Sequence, residues 1–144
     1  MPEETERKKA ELSRIAMEAQ AAQQQGASIQ NQLNSLGASI IETKATLEAL
    51  KNLEGVKDKE VILPIGSGVF INASVAGKGK VLVELGANII AEKPFQEASE
   101  LLEKRLKNIE EARDKLQAAL EGFSTRLREL DRQAKTLISE IKEG

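Results

Sequence analysis

The chain has 144 residues, 40% of them hydrophobic and only 2% aromatic: Phe70, Phe95 and Phe123 are its only rings, and it has no Trp, Tyr, His or Cys. Large globular cores draw on aromatics for much of their buried area, so this composition points to a thin core such as the seam between two helices. The 21 basic and 23 acidic residues leave a net charge of −2, which excludes an electrostatic grip on nucleic acid or on an acidic membrane.

Without His or Cys there is no Ser-His-Asp arrangement, no thiol nucleophile and no zinc site of the usual kinds. No catalytic residue, metal or cofactor is therefore predicted, and the chain is read as a non-enzyme. Met1-Pro2-Glu3-Glu4 is not the basic-then-apolar opening of a leader, and no window approaches the roughly 20 apolar residues of a membrane span. Zero cysteines fit a reducing compartment. A cytoplasmic protein is expected.

The first segment, residues 1–54, carries Leu12, Ile15, Ala19, Ala22, Gly26, Ile29, Leu33, Leu36, Ile40, Thr43, Leu47 and Leu50 in unbroken steps of three and four. That alternation is the heptad of a coiled coil, because 3.5 residues per turn keeps one stripe facing a partner helix. Ala19 to Ile41 contains no charged residue and is rich in Gln and Asn. An ordinary solvated face made of amides accounts for it better than a dedicated contact surface. Gly26-Ala27-Ser28-Ile29 is echoed by Gly37-Ala38-Ser39-Ile40.

Residues 55–93 change grammar. Gly55 stands where a left-handed helix C-cap belongs, and a polar linker from Val56 to Glu60 follows it. Short β-branched runs then alternate with the turn sequences Gly66-Ser67-Gly68, Gly77-Lys78-Gly79 and Gly86-Ala87-Asn88. Two β-hairpins are predicted, their turns 20 residues apart. Pro64 must sit at an edge or a bulge, since it donates no hydrogen bond to a ladder. The glycine turns lack the frame and following helix of a phosphate-binding loop. About 32 residues in two hairpins cannot bury a core of their own, and their edges need covering. Oligomerisation through Val61, Leu63, Ile65, Val69, Phe70, Ile71, Val75, Val81, Val83, Leu85, Ile89 and Ile90 is the expected solution, with Gly66, Gly68 and Gly86 shaping the turns.

Residues 94–144 resume the heptad with Phe95, Ser99, Leu102, Leu106, Ile109, Arg113, Leu116, Leu120, Phe123, Leu127, Leu130, Ala134, Leu137 and Ile141. The fold class is thus mainly α with a small β region: a long antiparallel two-helix coiled coil joined by two β-hairpins, one structural domain overall. Pairing residues whose numbers sum to 149 sets small against large, as in Gly26 with Phe123, Ala22 with Leu127 and Ala19 with Leu130. Leu36 then meets Arg113, whose guanidinium must snorkel outward. A register displaced by seven residues fits the heptads equally well.

Leu63-Pro64-Ile65-Gly66-Ser67-Gly68-Val69-Phe70-Ile71, Val81-Leu82-Val83-Glu84-Leu85-Gly86-Ala87-Asn88 and Glu92-Lys93 entering a heptad helix resemble the α-type subunit of archaeal prefoldin. The resemblance covers nearly the whole chain in order, and two hairpins match the α type. Asn88 departs from it, standing where a second glycine is frequent; asparagine tolerates left-handed backbone.

The resemblance implies an α2β4 hexamer with β-type subunits, in which the hairpins form a β-barrel body and the coiled coils hang as tentacles. It further implies an ATP-independent holdase chaperone that delivers non-native clients to a group II chaperonin. Client contacts would then fall at the helix ends, on Leu12, Ile15, Met17, Leu137, Ile138 and Ile141; filling the last seam layers is the equal alternative for these residues. The rival functions are a structural tether and a self-assembling, filament-forming paralogue.

Overall fold

The computed structural model describes residues 2–56, 59–76 and 79–143. In chain order these form α1 (Pro2–Leu53), β1 (Glu60–Gly66), β2 (Val69–Ser74), β3 (Lys80–Gly86), β4 (Ile89–Pro94) and α2 (Phe95–Glu143). Parts of the linker and middle turn named above, Lys57, Asp58, Gly77 and Lys78, lie outside the described residues. The chain divides into two compact units: Met1–Ala38 with Glu110–Gly144, and Ser39–Ile109.

In the first unit the two helical segments run antiparallel. Lys8 Nζ lies 3.5 Å from Glu140, Glu18 pairs with Arg126, and a Cβ at Gly26 would stand 3.8 Å from Leu120 Cδ1. Rising numbers on α1 thus meet falling numbers on α2. Ile15, Ala22 and Leu33 are buried, with Leu12, Ala19, Gly26, Ile29 and Leu36 half-buried between them. That is the predicted stripe, since heptad positions are the ones a helix can keep against one neighbour. Gly26 approaches Leu120, one turn from the Phe123 expected of it. Arg113 behaves as its place in the stripe demands: its head stays partly exposed and reaches Asp114 at 3.2 Å and Glu110 at 3.9 Å.

The second unit holds both hairpins. α1 ends at Leu53 and Gly55 follows with φ +79°, a left-handed conformation in which a residue with Cβ is strained. Leu50, Phe95 and Ala98 form a buried cluster, flanked by Leu53, Val81, Val83 and Leu102. Here the buried face extends beyond the heptad stripe. Ala98, outside the stripe, is fully buried, and its neighbour Ser99, in the stripe, is half-buried like most stripe residues of α2. The first turn of α2 packs against residues of both α1 and β3, which widens its buried face beyond a single stripe.

Both hairpins are antiparallel and belong to separate two-stranded sheets. Their plans superimpose at an offset of 20 residues: Glu60 pairs with Ser74 as Lys80 pairs with Pro94, and Gly66 with Val69 as Gly86 with Ile89. Each ladder shifts register just before its turn, between Pro64 and Gly66 and between Glu84 and Gly86. The extra residues, Ile65 and Leu85, are β-bulges, which bend a strand and sharpen its twist. Ser67 and Gly68 have φ of 47° and 79°, and Ala87 and Asn88 have φ of 50° and 62°. Two central residues with positive φ are what a two-residue type I′ turn requires. Asn88 therefore does the work of the glycine at the matching position, Gly68.

Candidate functional site

The features that stand out are apolar surfaces. On the hairpins Leu63, Ile65, Val69, Phe70, Ile71, Leu85, Ile89 and Ile90 are exposed. Val61 and Val75 are half-buried. Val81 and Val83 differ from the rest: they turn inward onto the cluster of Leu50, Phe95 and Ala98. They hold the second hairpin to its own chain.

Two exposed residues escaped the sequence reading. Ile62 is 68% exposed and Leu82 is 74% exposed, the latter on the opposite face of β3 from Val81 and Val83. The signal was present in Val61-Ile62-Leu63 and Val81-Leu82-Val83, unbroken apolar runs of the kind that mark strands covered on both faces. The two hairpins are also unequal. In β3 the burial alternates, with Val81 and Val83 inward; in β1 only Val61 is partly covered. The first hairpin is thus apolar and open on both of its faces.

Gly66 and Gly86, at φ +128° and +111°, sit where the bulge meets the turn. A Cβ there would meet no neighbouring atom, so the demand for glycine comes from the backbone alone.

The six residues expected at the helix ends split into two groups. Ile15 is buried, and Leu12 and Leu137 are half-buried. Leu12 and Ile15 line a groove with Leu127, Leu130 and Ala134, and Leu137 lines a neighbouring one with Ile15, Gln133 and Thr136. Of the three, Ile15 is the one buried in the seam. Ile141 is half-buried. Met17 and Ile138 are free, at 70% and 42% exposure. Methionine's unbranched, polarisable side chain adapts to varied apolar partners.

Several charges around this groove are paired. Arg14 bonds Glu11 and reaches Glu18 at 3.1 Å; Arg132 bonds Glu129. The Arg132 and Gln133 hydrogen bonds hold the Glu129 carboxyl down at about 2, and the Arg126 hydrogen bond keeps Glu18 below the ordinary carboxylate value. Every one of these carboxylates is charged at neutral pH.

Comparison with known proteins decides what these surfaces belong to. Residues 22–140 match the family model described as prefoldin subunit. The chain belongs to the prefoldin family. Among its prefoldin relatives, the alpha subunit of Pyrococcus horikoshii is 33% identical over 126 residues, covering 86% of this chain and 85% of the relative. The alpha subunit of Thermofilum pendens is 31% identical over 119 residues, covering 82% and 92%. Among solved structures, a filamentous prefoldin from Methanocaldococcus jannaschii superimposes with a TM-score of 0.69 at 28% identity, covering 81% of this chain and 98% of that one. The prefoldin architecture of two long helices around two small hairpins is thus the fold described above, and a chaperone-type role comes with the family. Among the described residues, no helix is long and apolar enough to cross a membrane.

Proposed function

We propose that this chain is the α-type subunit of an ATP-independent holdase. It assembles through its hairpins with β-type prefoldin subunits, in an α2β4 hexamer whose body is a β-barrel. Non-native proteins are held at the helix ends and passed to a group II chaperonin in the cytoplasm. The observation that carries the reading is the exposed apolar hairpin surface. Two two-stranded sheets with Ile62, Phe70, Leu82 and Ile90 in solvent are too small to be stable in isolation, and they present unpaired edges. Assembly supplies the missing strands and gathers several weak client contacts into one particle, where avidity multiplies them.

Client capture rests on Met17 and Ile138, the two helix-end side chains that the seam leaves free. Deleting residues 1–18 and 134–144 is expected to abolish suppression of aggregation of a denatured model protein while the complex keeps its subunit number by native mass spectrometry. Undiminished suppression by the truncated complex would remove the assignment of the helix ends.

A second reading has its own support. The similarity to a filamentous prefoldin favours a paralogue that assembles with itself alone. Particle mass with and without a co-expressed β-type subunit separates the two: a discrete mixed hexamer supports the first, open-ended growth of the chain alone the second. A purely tethering coiled coil would show no effect on unfolded proteins in either state.

A further inference from the structure

The two sides of the distal seam are held differently. On one side Glu4, Glu11 and Glu18 follow each other at seven-residue spacing along α1, and Arg126, Gln133 and Glu140 do the same along α2. Seven residues are two turns of a coiled-coil helix, so each set forms a row beside the seam. The rows meet level by level. Lys8 Nζ bridges Glu4 and Glu140 at 3.7 and 3.5 Å, Glu11 and Gln133 line one groove with Ile15, and Arg126 holds Glu18. Ile15 and Leu130, beside these rows, are 2% and 0% exposed.

On the other side α1 contributes no charge. Ala16, Ala19 and Gln23 stand there, with Arg128 and Asp131 on the α2 rim, over a groove of about 450 Å³ floored by Leu12, Ile15, Leu127 and Leu130. Inward of Glu18 the charged row of α1 continues as Gln25 and Gln32, and α1 has no acidic residue until Glu42. The neighbouring seam positions are Ala19, Ala22 and Gly26, which offer little apolar area to hold α1 against α2. Among the described residues, Glu18–Arg126 is thus the innermost charged tie of a one-sided set, next to a stretch of small seam residues.

We propose that the Glu18–Arg126 pair is a latch. Closed, it keeps Ile15 and Leu130 covered; released, it lets the first turns of α1 lift from α2 and offer both side chains to an apolar segment of a non-native polypeptide. This deepens the reading of client capture at the helix ends and rests on it. An exposed ion pair is worth little, so the latch biases a balance between closed and open seam by up to about fivefold. It also weakens as ionic strength rises, because exposed charges are screened by salt.

The chain has no cysteine, so Ile15→Cys in the assembled full-length protein is a single reporter of seam opening. Its thiol is expected to react with a small alkylating reagent up to about fivefold faster when Glu18→Gln or Arg126→Gln is added. Adding both should give no further gain, since the two side chains act as one pair. Lys135→Gln, which breaks only the pair with Asp131 on α2 itself, is expected to change nothing. Salt near 1 M, where screening acts over about 3 Å, should erase the difference between parent and Glu18→Gln. Amide exchange of residues 8–18, followed without the reporter, should rise by the same factor, which guards against a cysteine that loosens the seam by itself. Retention of a denatured model protein should rise with opening. Equal labelling and exchange in parent and Glu18→Gln, additive effects of the two substitutions, or faster opening with unchanged retention would overturn the latch. If retention also survives deletion of residues 1–18 and 134–144, capture at the helix ends fails with it; if truncation abolishes retention, that reading stands without the latch.

Discussion

Arg126 grips Glu18 with two nitrogens: Nε and Nη2 donate to the same carboxylate oxygen, at 3.0 and 2.5 Å, from residues 108 apart in sequence. Arg14 reaches the other oxygen of Glu18 at 3.1 Å, so one carboxylate ties α1 to α2 and to its own preceding turn.

Acid should loosen this clasp. The Glu18 carboxyl is held below its ordinary value of 4.5, chiefly by the Arg126 hydrogen bond, and Glu129 is held at about 2 by Arg132 and Gln133. A carboxyl depressed in the folded state stabilises it at any pH above the unfolded value. That contribution disappears as pH falls from 4.5 through the folded value. Thermal unfolding of the helices is expected to drop across this acid window, and by less in Glu18→Gln, which has already lost the clasp. An identical acid profile for Glu18→Gln would show that Glu18 contributes nothing.

Leu130 and Met17 separate seam from surface. Leu130 is fully buried, so Leu130→Ala leaves a cavity and is expected to cost about 2–4 kcal/mol, read from urea unfolding. Met17→Ala, at an exposed position, should stay within about 0.5 kcal/mol of the parent and reduce only the capacity to hold unfolded protein.

Ala87 is strained. Its φ of +50° places a Cβ in left-handed backbone, at a cost of roughly 1 kcal/mol that glycine avoids. Ala87→Gly is therefore expected to stabilise the second hairpin by about that amount, visible as slower amide exchange along β3 and β4. The reverse substitution in the first hairpin, Gly68→Ala at φ +79°, is expected to destabilise.

The helical glycines offer a gain without strain. A Cβ at Gly37 or Gly122 would meet no atom within 4 Å, and at Gly26 only an ordinary contact with Leu120. Alanine at Gly37 or Gly122 is expected to raise stability by up to about 1 kcal/mol each, measured by denaturant titration.

The element order, the heptad stripe, both hairpins, the bulge or edge at Pro64 and the left-handed demand at Asn88 all follow from the sequence alone. They are set by local rules: 3.5-residue periodicity, turn chemistry and the missing N–H of proline act within a few residues of one another. The need for partners was legible too, because the amount of apolar material between the helices is a matter of composition.

Tertiary structure decided what depends on which surfaces meet. Val81 and Val83 turn inward and Leu82 outward because α1 and α2 cover one face of β3; the strand's own pattern does not say which face that will be. Ala98 joins the core beside the half-buried Ser99 for the same reason, being packed from two directions. Ile15 is buried in the seam and Leu137 half-buried, while Met17 and Ile138 stay free, a division fixed by helix rotation rather than by hydrophobicity. The Arg105 guanidinium donates to the carbonyl of Glu84, 21 residues away across a turn and a strand, and only the folded chain brings the two together.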